Sequence, residues 1–67
     1  MYKVYEKLRD DRGLTDYEVA KQTGIPQSSI YDWKQRSQKD ENASMSLRSL
    51  QKIAALFDVS LLELVGM

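Results

Sequence analysis

The chain contains neither cysteine nor histidine. That removes disulfide staples, the usual zinc sites and the commonest general base. An enzyme built from it has to rely on carboxylates, lysines, serines or tyrosines, and nothing in their spacing converges on a reaction. The stretch that does organise polar side chains is DYEVAKQTGIPQSSIYDWKQ, Asp16 to Gln35. Its chemistry is hydrogen bonding by amide, hydroxyl and carboxylate groups, which is the chemistry of recognition. No catalytic residue, metal site, cofactor site or small-molecule site is expected.

The same twenty residues carry a frame that must hold those groups at a fixed angle. Ala20 is small enough for a second helix to cross closely. Gly24 sits just past the first helix, where a positive φ is easiest without a Cβ. Ile25, Ile30 and Trp33 are read as one apolar face of the following helix. Helix, tight turn, helix with these residue types is the helix-turn-helix pattern, whose second helix can enter the DNA major groove.

The remaining elements are short helices too. Val4, Tyr5 and Leu8 give one stripe over Tyr2 to Arg12, ended by Gly13. Thr15 with Glu18 is a capping box, so the second helix starts near Asp16 and runs to about Thr23, with Val19 and Ala20 inward. Pro26 suits the first turn of a third helix, about Pro26 to Arg36. Ser37 to Ser44 is polar and aperiodic and reads as an exposed loop. Ser46 is the expected N-cap of a fourth helix with Leu47, Leu50, Ile53, Ala54 and Phe57 as its apolar stripe. After a break at Asp58-Val59, Ser60 with Glu63 forms a second capping box for a last helix bearing Leu61, Leu64 and Val65. Leu61 and Val65 are expected in the core, with Leu62 left open between core and a dimer surface.

With 67 residues, 42% hydrophobic and 30% charged, the chain has room for one domain, residues 1–67, and a small core. One proline and three glycines favour an all-α fold with short turns. No apolar run approaches the roughly 18 residues a bilayer span needs, and no signal peptide opens the chain, so a cytoplasmic protein is expected. The formal net charge is zero, whereas most nucleic-acid-binding domains are basic. Distribution matters more than the sum. Glu6, Asp10 and Asp11 crowd the first helix, while Lys34, Arg36 and Lys39 gather at and after the end of the third.

Five helices with the helix-turn-helix at the second and third resemble the lambda repressor and Cro-like, or XRE, DNA-binding domain. KLRDDRGLT is similar to that family's first helix and the approach to its second. YEVAKQTGIPQSSIYDWK is similar to small regulators of Gram-positive bacteria and their phages. LQKIAALFDVSLLELVG resembles the fourth and fifth helices. The resemblance implies a compact five-helix domain and a bacterial or phage transcription regulator, repressor in type, that binds a palindromic operator in double-stranded DNA as a homodimer.

It also implies roles. The family's groove-facing positions fall on Pro26, Gln27, Ser28, Tyr31, Asp32 and Gln35. Gln27 and Ser28 are the leading base readers, since a glutamine amide pairs bidentately with adenine N6 and N7. The Asp32 carboxylate can accept from cytosine N4, and Tyr31 can donate to a phosphate or pack on a thymine methyl group. Phosphate contacts are expected from Ser29, Lys34, Arg36 and Lys39, and from backbone N–H groups of the second helix's start at Thr15 and Tyr17. Three features depart from the family pattern. Asp16 stands where many members hold a phosphate with glutamine. Arg9 and Lys34 are both basic where many members pair arginine with glutamate. The loop after the third helix, with Asp40 and Glu41, is about five residues longer.

Each role has a plainer counterpart. Trp33 is read as core, Asp16 as a first-turn acid favoured by the helix dipole, and Lys21, Arg48 and Lys52 as solvated charges. Asp32 can pair with Arg36 four residues on instead of touching a base. Gln27 and Ser28 can be ordinary polar surface. The rival function is a protein-interaction module on the same scaffold, antitoxin-like or antirepressor-binding. The zero net charge, Asp16, Asp32 and the acidic loop favour it.

Overall fold

Positive-φ residues close three of the helices and thereby set the path of the chain. The computed structural model describes residues 1–65. Gly66, the end of the segment likened to the family's last helix, and Met67 lie outside the described residues. The helices are α1 (Tyr2–Asp11), α2 (Asp16–Thr23), α3 (Gln27–Ser37), α4 (Leu47–Leu56) and α5 (Leu61–Val65). Gly13 at φ +66° ends α1, Gly24 at φ +79° ends α2, and Asp58 at φ +54° follows α4. At α1 the Leu14 N–H returns to the Arg9 carbonyl and the Gly13 N–H to that of Asp10. The same pair of bonds runs from Val59 to Ala54 and from Asp58 to Ala55. Orphan carbonyls at both ends are satisfied this way.

Helix starts follow their caps. Thr15 Oγ1 accepts from the Glu18 N–H while the Glu18 side chain takes the Thr15 N–H, completing the capping box. Ser46 Oγ accepts from the Ser49 N–H, and Ser60 Oγ from the Glu63 N–H. Pro26 stands at the N-cap of α3, one residue before the helix, and offers no side-chain cap. The third helix therefore begins and ends one residue later than its sequence suggests.

The core is built around Trp33, Tyr5, Phe57, Ile30, Ile53, Leu64 and Val19, all essentially inaccessible to solvent. Tyr5 is its hub, with ring centroids of Tyr2, Trp33 and Phe57 at 5.6, 5.4 and 6.1 Å. The Tyr2 and Trp33 rings meet edge to face at 5.2 Å, a favoured aromatic arrangement. Tyr2, absent from the expected stripe of α1, is buried, while Val4 and Leu8 are only half-buried. The cause is α3: Trp33 crosses the N-terminal half of α1 and draws Tyr2 inward.

Three further readings are corrected. Ile25 is buried from the turn itself, not from a face of α3. Leu47 is exposed, because it begins α4 at the edge of the domain and the core face starts at Leu50. The segment 37–44 is not wholly an exposed loop. Ser37 completes α3, and Ala43 is buried, its carbonyl accepting from Trp33 Nε1 at 2.8 Å. α2 lies against α3 and α4, and α5 closes the bundle against α1 and α4. No described helix is long and apolar enough to cross a membrane.

Candidate nucleic-acid interface

α3 is divided lengthwise. Ile30 and Trp33 are fully buried, whereas Gln27, Ser28, Tyr31, Asp32, Lys34, Gln35 and Arg36 are exposed. The Tyr31 side chain is 61% exposed, although it sits between two core residues. At 3.6 residues per turn, Gln27, Ser28, Tyr31, Asp32 and Gln35 share one outward face, flanked on one edge by Lys34 and on the other by Arg36. The two cations border the polar face on opposite sides. Lys34 lines a shallow hollow beside Lys3 and Glu6 of α1. Arg36 lines an open hollow of about 430 Å³ with Ser28, Ser29, Asp32, Met45, Ser46 and Ser49. That hollow separates the outward face of α3 from the start of α4. Ser29, half-buried, turns into it, and Lys39 is exposed in the turn beyond α3.

Two acidic residues on this side, Asp16 and Asp32, are paired with arginines. Asp16 does more than favour a helix dipole. Its Oδ1 accepts from Arg9 Nη1 at 2.8 Å and from the Tyr5 hydroxyl at 2.6 Å. Arg9 also forks onto Asp10 through Nε and Nη2. The hydrogen bond to Asp16 raises the Arg9 pKa above its already high value, against the opposing effect of burial. Burial first, and then donation to Asp16, pushes the Tyr5 hydroxyl far above its ordinary range. Arg9 thus finds its acid at the start of α2, where Lys34 offers none. At the other edge, Arg36 Nε donates to Asp32 Oδ2 at 2.8 Å, and Arg36 Nη1 donates to the Ser44 carbonyl at 2.8 Å.

Thr15 is less available to a phosphate than its position suggests. Its N–H and its hydroxyl both donate to Glu18 Oε1 within the capping box. A phosphate that took the Thr15 N–H would have to displace that carboxylate. Tyr17, two residues further along, is 62% exposed.

The contacts Arg9–Asp16, Trp33–Ala43 and Arg36–Ser44 are absent from the sequence reading. The first has a signal in hindsight: a base closing one helix and an acid opening the next, across a glycine turn. The other two depend on where a loop returns, which residue spacing does not encode.

Five helices without a described strand, a tight Gly24 turn and a polar outward face on α3 define a helix-turn-helix domain of the repressor-like type. A family model described as the Cro/C1-type HTH DNA-binding domain matches residues 6–67. No curated protein and no solved structure matches the chain. The chain belongs to the Cro/C1-type HTH DNA-binding domain family, and the lambda repressor and Cro-like resemblance holds.

Proposed function

We propose that this chain is a sequence-specific regulator of transcription, repressor in type, that reads the major groove of double-stranded DNA with α3. The observation that carries the reading is the division of α3: two fully buried anchors, Ile30 and Trp33, present a continuous exposed polar face. Gln27, Ser28, Tyr31 and Asp32 read base edges. Lys34 at one edge of that face, and Ser29 and Lys39 at the other edge and just beyond the helix, meet phosphates and fix the register, while Arg36 stays on Asp32 and the Ser44 carbonyl. Tyr17 is the outward donor of the first turn of α2. Regulation is by occupancy of the operator.

One module of this size makes few base contacts. Two copies spaced about one helical turn, roughly 34 Å, on a palindromic site supply affinity and double the sequence read. The rival, a protein-interaction module on the same scaffold, rests on the zero net charge, the loop acids Asp40 and Glu41, Asp16 and Asp32. Asp32 is paired with Arg36, and Asp16 with Arg9, which it shares with Asp10.

The test is selection of duplexes from a random pool, followed by fluorescence anisotropy at two salt concentrations and sedimentation to count protomers on the site. A palindromic consensus bound by two protomers is expected. Folded protein that enriches no sequence at low salt refutes the proposal.

A further inference from the structure

Asp32 raises a problem for any DNA-facing helix, because an ionised carboxylate beside phosphates is repelled. Pairing with Arg36 and contact with a base are natural alternatives for it, and the geometry makes them compatible. Arg36 occupies Oδ2 alone. Among the described residues nothing donates to Oδ1, and the Asp32 side chain is 65% exposed. Arg36 is itself held from a second side by the Ser44 carbonyl, so the guanidinium is fixed between α3 and the loop that leads to α4. Its charge sits against the carboxylate, and beyond a few ångströms the two largely cancel. What remains at Oδ1 is an acceptor with little net charge, one turn from Ser28.

In the major groove only the amino groups of cytosine and adenine donate; guanine and thymine present acceptors there. We infer that Arg36 is a positioning residue that turns Asp32 into a selective acceptor, so that each half-site holds one position confined to an amino-bearing base, cytosine or adenine. The inference rests on α3 being the base-reading helix. It adds the chemical class of base that one residue demands, and it assigns the extended loop a part in specificity through Ser44.

The experiment is selection from a random duplex pool with the full chain, Asp32→Asn, Arg36→Met and the double variant Asp32→Asn/Arg36→Met, each checked for helix content by circular dichroism. The unaltered chain is expected to enrich a site with one position restricted to cytosine or adenine. Asp32→Asn, which can both donate and accept, relaxes that position and leaves the others alone. Arg36→Met exposes an uncompensated carboxylate and weakens binding to every duplex by about tenfold, the scale of a single lost recognition contact. The double variant recovers affinity without recovering the restriction. If Asp32→Asn selects an unchanged consensus while specific binding persists, the inference falls and base reading by α3 stands. If Arg36→Met weakens binding equally with and without Asp32, Arg36 serves phosphate directly and the positioning role is overturned. If the unaltered chain selects no site, the proposed function fails and the inference falls with it.

Discussion

Arg9 Nη1 lies 2.8 Å from Asp16 Oδ1, and this contact joins the C-terminal end of α1 to the first residue of α2. The two side chains are only 17% and 26% exposed. Tyr5 donates to the same oxygen from below. The start of the helix-turn-helix is therefore held by a mostly buried charge pair resting on the aromatic core.

Removing one partner from such a pair strands the other. Arg9→Met is expected to destabilise the fold by about 2 kcal/mol, below the full cost of opening a deeply buried pair because both groups retain some solvent. Asp16→Asn keeps an oxygen for Arg9 and Tyr5 and is expected to cost about 1 kcal/mol. Urea denaturation with circular dichroism measures both. Equal stability of Arg9→Met and the unaltered chain would show that the pair is incidental.

Trp33→Phe keeps an aromatic ring in the core but leaves the Ala43 carbonyl without its donor. A loss of about 2 kcal/mol is expected from the missing bond and the reduced volume together. Hydrogen exchange should localise part of it. The Ala43 N–H, bonded to the Asp40 carbonyl, is expected to exchange faster in the variant. Unchanged exchange there would mean that the loop holds its shape without Trp33.

Asp58 takes a left-handed conformation at the end of α4. Glycine adopts it without a Cβ penalty, and β-branched residues resist it. Asp58→Gly is expected to raise stability by about 0.5 kcal/mol, and Asp58→Val to lower it by about 1 kcal/mol or more. Thermal unfolding of the pair gives the sign of each change. Destabilisation by glycine would show that the Asp58 side chain makes a compensating contact.

Alkaline pH should unfold the domain through Tyr2 and Tyr5. Burial raises both hydroxyls above their ordinary value of 10.0, Tyr5 further because it donates to Asp16. The folded state then keeps two protons that the unfolded state releases. Stability is fully present below about pH 10 and falls as pH rises beyond it, since the native state binds more protons there. Tyrosinate absorbance should appear in part only together with loss of helix. Full ionisation of all four tyrosines with helix intact would contradict the burial of these two.

The elements whose formation rests on neighbouring residues were legible in the sequence. Thr15-Glu18, Ser46, Gly13 and Gly24 mark helix ends by local hydrogen bonding and backbone preference, and the helices begin and end at or beside them. Ile30, Trp33, Leu50 and Ile53 declare their burial by helical spacing. Tyr2 does not, because a crossing helix decides its environment. Ala43 and Ser44 become structural only when the loop folds back on Trp33 and Arg36. On the outward face, residue types are legible, but their pairing is only partly so. The Asp32–Arg36 pair is legible from its four-residue spacing, whereas Asp16 looks like a free first-turn acid in the chain and is held by Arg9 in the fold.

The most direct test of DNA reading by α3 is fluorescence anisotropy on the selected duplex and on a scrambled duplex, across a salt series, for the unaltered chain, Gln27→Ala and Lys34→Ala. Gln27→Ala is expected to shrink the preference for the selected duplex by about tenfold while binding to the scrambled one hardly changes. Lys34→Ala is expected to weaken both duplexes alike and to reduce the salt slope by about one. If both substitutions leave affinity, preference and salt slope unchanged, α3 does not read the major groove.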